Sequence, residues 1–250
     1  MQEQETTRAI LRGGSRHFTE THWSLVLAAK AEGSSRAAEA MEKLCGIYWR
    51  PVYAYIRRQN HNSHEAEDLT QGFFAQLLAK DYLQHLRHRD GKFRSFLLTF
   101  VKRFLSDERD KAGAQKRGGG KFFISLDDIS AEDSYLAELR TDSSPDQIFD
   151  RRWAQMVMAR ALSRLREEYV AAGKAKLFDE LKDIQPGEHG ESSYAEIGAR
   201  LGLAKGTIAS AVHRLRKRHR EIVREEIAHT VARSEELDEE IRNLLAALGQ

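Results

Sequence analysis

The chain has 250 residues, with 40 Lys and Arg against 38 Asp and Glu, so its net charge is only +2. This length suits one large domain or two small ones. The single cysteine, Cys45, excludes an intrachain disulfide, and no apolar run approaches the roughly 20 residues that span a bilayer. The polar N-terminus also lacks an export segment. These features favour a cytoplasmic protein without membrane insertion.

The near-neutral total hides strongly segmented charge. Residues 87–121 hold eleven Lys and Arg against four Asp and Glu, and residues 205–220 hold six against none. The order reverses at residues 124–150, with eight acidic residues and one basic, and at 221–250, with eight and three. Basic modules are therefore separated and followed by acidic stretches.

Apolar residues recur at helical spacing along most of the chain, and we find no alternation typical of strands. The spacing predicts an all-α protein with two helical domains. Helices of the first domain are predicted around residue 23 and at 37–56, 65–78 and 93–111, the third capped by Asn62 or Ser63. We expect an N-terminal arm at 1–19, a helical domain at 20–112, an acidic linker at 113–150, a second domain at 151–225 and an amphipathic extension at 226–250.

The linker prediction depends on small and turn-forming residues. Three consecutive glycines occupy 118–120, and Ser143, Ser144 and Pro145 close the acidic stretch.

Residues 193–218, SYAEIGARLGLAKGTIASAVHRLRKR, predict a helix-turn-helix. Ala195 is the small residue expected where the two helices cross, and Gly202 supplies the turn. The predicted shared core consists of Leu201, Leu203, Ile208 and Val212. The residues predicted to bind DNA are Lys205, Thr207, Ser210, His213, Arg214, Arg216 and Lys217. Short polar side chains near the start of the second helix suit base edges, and the later basic ones suit phosphates. A helical hairpin with a basic solvated face would give the same pattern.

Three motifs of the first domain complete a family resemblance: YWRPVYAY at 48–55, EAEDLTQGFF at 65–74 and FRSFL at 93–97. This domain resembles the core-binding and promoter-melting domain of bacterial extracytoplasmic-function sigma factors. The second domain resembles their promoter-reading helix-turn-helix domain. Both match in the right order, which is more specific than a lone helix-turn-helix.

The resemblance implies two partners, the core RNA polymerase and promoter DNA. The polymerase contacts that it implies are Asp68, Leu69, Gln71 and Phe74, with core packing as the alternative for Leu69. The contacts with melted DNA that it implies are Lys92, Arg94, Lys102, Arg103 and Arg109. An anti-sigma factor or a kinase is left open as the regulator, and Thr70 is a conceivable phosphorylation site.

Two other classes of function compete with this interpretation. The sequence has no phosphate-binding loop, metal-ligand cluster or nucleophile motif, so we expect no enzyme, catalytic residue, metal or cofactor. A helix-turn-helix regulator that acts without polymerase would bind palindromes as a dimer. A protein adaptor would show no salt-dependent affinity for DNA.

Leucines and isoleucine of the extension recur at helical spacing: Leu237, Ile241, Leu244, Leu245 and Leu248. The simpler prediction is that this helix packs on the second domain. The alternative is that it holds the protein inactive, masks its basic surface or binds a regulator.

Overall fold

The computed structural model describes residues 35–59, 61–78, 91–114, 143–184 and 191–249. Within these ranges all regular elements are helices, which confirms the all-α fold class. The α-helices are α1 (Ser35–Arg57), α2 (Ser63–Leu78), α3 (Phe93–Ala114), α4 (Pro145–Ala171), α5 (Ala175–Leu181), α6 (Glu191–Leu201), α7 (Lys205–Ala228) and α8 (Leu237–Leu248), with a 3₁₀ turn at Ser234–Glu236. The predicted arm, the helix around residue 23 and the glycines at 118–120 lie outside the described residues.

The start of α2 is fixed by a reciprocal cap. The backbone N–H of Glu65 donates to the Asn62 side chain over 2.9 Å, and the N–H of Asn62 donates to the Glu65 carboxylate over 3.1 Å. Each side chain thus satisfies a backbone donor that the first turn of a helix leaves without a partner. Of the two caps that the sequence offered, Asn62 is the one used.

Aromatic rings build the core between α1, α2 and α3. Phe73 lies at its centre, with ring centroids 5.0 Å from Phe100 and 5.9 Å from Phe104. Trp49 of α1 stacks on Phe74 at 5.8 Å. A Cβ added to Gly72 would lie 3.3 Å from the Phe104 ring, so glycine lets α2 and α3 approach closely here. The three motifs of the first domain therefore meet in one core.

Helix α4 begins inside the segment that the sequence assigned to the linker. Ser144 accepts a hydrogen bond from the backbone of Gln147, the Gln147 side chain accepts one in return, and Pro145 occupies the first turn. This arrangement is a capping box with proline at a position where its missing N–H costs nothing. The helix starts six residues before the predicted domain boundary at 151.

Helix α4 contributes to two hydrophobic cores. Its first half packs into the core of α1, α2 and α3 through Phe149, Trp153 and Val157. Its second half packs with α5, α6 and α7 through Ala161 and Leu165. One continuous helix of 27 residues therefore joins the two halves of the molecule.

Helix α8 returns to the first core. Leu244 is 1% exposed and Ala247 is 4% exposed, and both belong to the cluster formed by α1, α2, α3 and the first half of α4. Leu237 and Ile241 pack against the same cluster. The extension thus packs on α4 and α7, helices of the predicted second domain, as the simpler prediction has it, while its buried side chains join the first core.

Candidate polymerase and DNA interfaces

A tight turn joins α6 to α7. Gly202 adopts φ +66°, a left-handed conformation that favours glycine, and α7 begins three residues later. The backbone N–H of Leu203 donates to the carbonyl of Gly198 over 2.8 Å. A Cβ on Gly198 would lie only 2.5 Å from the Leu203 carbonyl oxygen. Glycine is therefore required at both positions, for different reasons.

Two details of the predicted shared core were wrong. Ala195 is exposed, and the small residue at the close approach is Gly198. Leu203 is 40% exposed, whereas Ile208 and Val212 are buried as predicted. Glycine at 198 was visible in the sequence, but its closeness to the turn backbone depends on the path of the chain after Leu201.

Helix α7 presents a polar and basic face to solvent. The exposed members of the predicted DNA-binding set are Lys205, Thr207, Ser210, His213, Arg214 and Lys217. Arg216 is half-buried and donates to the Ile184 carbonyl over 3.1 Å. Most of the set is thus accessible on α7, while Arg216 also ties α7 to the short segment that follows α5.

Sequence reasoning missed the structural role of Arg218. Its guanidinium donates to Glu168 of α4 over 2.7 and 2.9 Å and to Glu225 over 3.1 Å. The hydrogen bond from Arg218 lowers the pKa of the Glu168 carboxyl, against the opposing effect of burial. Arg218 therefore fastens the exposed part of α7 to α4. The basic run of the sequence gave no sign of this pairing because Glu168 lies 50 residues earlier.

An open groove of about 310 Å³ lies between the start of α2 and the end of α3. Its lining residues are His61, Glu65, Asp68, Leu69, Leu105, Glu108 and Arg109. Asp68 is exposed and Leu69 is half-buried, so both reach its rim; Gln71, also on α2, is half-buried. Three carboxylates against the one arginine, together with two leucines, give the groove an acidic and partly apolar surface.

Two other residues of α2 point inward. Phe74 is 4% exposed and lies in the aromatic core, so its burial counts against a direct contact with polymerase. Thr70 is fully buried, and its hydroxyl donates to the Ala66 carbonyl over 2.6 Å. This burial counts against Thr70 as a phosphorylation site, because a kinase cannot reach the hydroxyl while α2 is folded.

The cations at the start of α3 are engaged with carboxylates. Arg94 is 7% exposed; it donates to Glu240 of α8 over 2.9 and 3.1 Å and to Asp150 of α4. Its guanidinium carbon also lies 4.8 Å from the centroid of Trp153. Lys92 contacts Glu239 at 2.6 Å and Glu240 at 3.4 Å. Arg94 is thus a buried junction in this structure and does not face solvent.

The remaining cations of α3 are exposed. Lys102 pairs with Asp146 of α4 at 2.6 Å on the surface. Arg103 is exposed, and Arg109 donates to the Leu105 carbonyl and to Gln59, each over 3.2 Å. The predicted set for melted DNA is therefore divided between exposed side chains and side chains paired with α4 or α8.

Electrostatic interactions between Arg94 and Glu240 favour the charged forms of both side chains. Burial raises the pKa of Glu240, but the hydrogen bonds and charge of Arg94 outweigh it, so the pKa lies below its ordinary value. Burial lowers the pKa of Arg94, and the hydrogen bond and charge of Glu240 more than reverse this. Both groups therefore stay charged at neutral pH.

Within the described ranges, no group of three or more His, Cys, Asp or Glu side chains is arranged to hold a metal ion. The described helices also include none that is long and apolar enough to cross a bilayer.

A curated relative supports the class of protein. The ECF RNA polymerase sigma factor SigE of Mycolicibacterium smegmatis is 29% identical over 201 residues, which are 80% of this chain and 68% of the relative. A match of this length cannot be confined to one of the two domains. No family model and no solved structure matches. The similarity, with the all-helical fold, supports membership of the chain in the sigma-70 family of RNA polymerase sigma factors. The relative is a member of the extracytoplasmic-function group, which supports the resemblance given by the motifs.

Proposed function

We propose that this protein binds core RNA polymerase and directs transcription initiation from specific promoters. The observation that carries the proposal is the combination, in one chain, of an acidic groove on α2 with an exposed basic face on α7. Neither domain alone distinguishes a sigma factor from other helical proteins. As such a factor it would work in the cytoplasm with the polymerase.

The groove supports the role of α2 in binding polymerase. Asp68 and Leu69 offer a carboxylate beside an apolar side chain, a surface that suits a helix carrying basic and apolar residues. The family resemblance implies the clamp helices of the largest polymerase subunit as that partner. Gln71 extends the surface along α2, while Phe74 supports it from the core.

The exposed face of α7 supports promoter reading. Thr207 and Ser210 lie near the start of the helix, where a recognition helix meets base edges. Arg214 and Lys217 follow on the same surface and suit phosphates. Arg103 and Arg109 of α3 supply exposed positive charge for a melted strand in the first domain.

The test is run-off transcription with purified bacterial core polymerase on a library of genomic promoters, with and without the protein. We expect discrete new start sites that Asp68→Lys abolishes and Asp179→Lys leaves unchanged. Asp179 is an exposed aspartate of α5 outside all predicted contacts, so it controls for the change in charge. Loss of transcripts with both variants would contradict a specific contact at Asp68.

The competing function is a regulator that acts without polymerase. That protein would bind a palindromic site as a dimer and give no new start sites in the same assay. Palindrome binding by the protein alone, together with silence in the run-off assay, would replace the proposal.

A further inference from the structure

Three cations near the start and middle of α3 meet four carboxylates from elsewhere in the chain. We call Lys92, Arg94 and Lys102 the α3 cation face. Helix α8 supplies Glu239 and Glu240 to Lys92 and Arg94. The beginning of α4 supplies Asp150 to Arg94 and Asp146 to Lys102. Three of the five cations that the resemblance assigned to melted DNA therefore form an interface within the protein.

Carboxylates and phosphates use the same sites on these cations. An arginine guanidinium binds either group through parallel N–H···O hydrogen bonds, and a lysine ammonium binds either as a point charge. Arg94 makes two hydrogen bonds to the two oxygens of Glu240. A phosphate oxygen cannot occupy those positions while Glu240 does.

Apolar packing holds α8 in place over this face. Leu244 and Ala247 are buried in the first core, the cluster to which Phe93 at the start of α3 also belongs. The backbone N–H of Phe93 donates to the carbonyl of Thr230 over 2.9 Å, so the segment before α8 also satisfies the first turn of α3. The cover over the cation face is thus a defined element of the fold.

From this geometry we propose that α8, with the start of α4, is an autoinhibitory cover that blocks the α3 cation face from nucleic-acid phosphates in the free protein. Full DNA binding by α3 requires α8 to leave Arg94 and Lys92. Because residues 229–236 connect α8 to α7, the displaced helix remains tethered and can close again. This inference rests on the proposed function, since α3 has phosphates to bind only if it contacts DNA.

The first test measures the affinity of the free protein for a fluorescein-labelled single-stranded oligothymidylate by fluorescence anisotropy. Glu240→Gln keeps the size of the side chain but removes the charge that holds Arg94. We expect this variant to bind at least about tenfold more tightly than the wild type. Breaking a buried ion pair strongly favours the open position of α8 over the closed one. Asp146→Asn, at an exposed pair, should tighten binding about twofold.

Glu235→Gln is the matched control, since Glu235 is an exposed acid of the 3₁₀ turn before α8. It should leave the affinity unchanged. Equal affinities of the wild type and Glu240→Gln would overturn the proposal, as would an equal gain from Glu235→Gln. Far-UV circular dichroism shows whether Glu240→Gln keeps its helices; if it does not, the next measurement decides.

The second test follows opening of α8 directly through thiol labelling in a Cys45→Ala background. Leu244→Cys places a thiol where the side chain is 1% exposed under α8, and Leu165→Cys places one in the second core at 0%. We expect the oligothymidylate to raise the maleimide reaction rate of the first thiol by about tenfold or more and to leave the second protected. Protection of both thiols at saturating oligothymidylate would overturn the cover.

The two proposals fail in different ways. If neither the wild type nor Glu240→Gln gives polymerase-dependent transcripts, yet Glu240→Gln gains affinity and Leu244→Cys opens, the cover stands and the sigma-factor function fails. If transcripts form while both cover tests are negative, the function stands and the cover fails.

Discussion

The turn between α6 and α7 makes a sharp prediction about two glycines that lie eight residues apart. Gly198 and Gly206 are both helical, and replacing an open helical glycine by alanine stabilises a protein by about 0.5 to 1 kcal/mol. A Cβ at Gly206 would meet nothing within 4 Å, whereas one at Gly198 would lie 2.5 Å from the Leu203 carbonyl oxygen. Replacement by alanine should therefore lower the stability of the protein at Gly198 and raise it at Gly206.

The magnitude at Gly198 follows from that distance. A contact of 2.5 Å is roughly 1 Å shorter than ordinary van der Waals contact, and the obstacle is backbone that is itself held by the 2.8 Å hydrogen bond from Leu203 to Gly198. Moving it costs strain and part of that bond, typically 1 to 3 kcal/mol in a packed site. We expect Gly198→Ala to lower the free energy of unfolding by about 1 kcal/mol once its gain in helix propensity is subtracted.

Thermal and urea unfolding followed by far-UV circular dichroism provide the assay. For a chain of this size Gly198→Ala should lower Tm by about 2 to 4 °C, and Gly206→Ala should raise it by about 1 to 3 °C. A Gly198→Ala protein as stable as the wild type would refute the reasoning, because it would show that α6 and the turn do not approach as closely as described.

Three further predictions concern single side chains. Burial lowers the pKa of His219, so the folded state favours the neutral ring. The contribution of this residue to stability should therefore be complete above about pH 6.5 and should fall as the pH drops below that value. In urea unfolding at several pH values, His219→Gln should flatten this dependence. Because Thr70 is fully buried, Thr70→Val should change the free energy of unfolding by less than about 1 kcal/mol, whereas Thr70→Glu should lower it by several kcal/mol. Equal effects of the two variants in thermal unfolding would contradict that burial. Arg214→Ala should weaken DNA binding and reduce by about one the slope of log affinity against log salt concentration. Arg218→Ala should mainly lower stability, because it breaks the hydrogen bonds to Glu168. If anisotropy measured at several salt concentrations gave the reverse pattern, the two side chains would have been assigned to the wrong faces of α7.

Local patterns predicted the helices and the turn well because their causes are local. The Asn62–Glu65 cap, the left-handed Gly202 and the buried Ile208 each depend on residues within one or two turns. The start of α4 was also readable, since Ser144 followed by Pro145 and Gln147 is a capping-box pattern, but the surrounding acidic composition favoured a linker.

Long-range pairing could not be predicted from the sequence. Arg94 meets Glu240 across 146 residues, and nothing in either neighbourhood indicates the other. The resemblance implies that Arg94 contacts DNA, whereas in this structure Arg94 lies in a buried junction with α4 and α8. Phe74 presents the same difficulty, because an aromatic residue on an amphipathic helix suits a core as well as an interface.

The place of α8 in the first core also has a consequence for how the protein is made. A ribosome releases α1, α2 and α3 well before residues 237–248, at about 5 to 20 residues per second. Leu244 and Ala247 belong to a core whose first residue in chain order is Leu44. That core therefore stays incomplete on the nascent chain until α8 emerges. Contacts between such distant segments slow folding. Synthesis thus leaves an interval in which the α3 cations are exposed before their carboxylate partners exist.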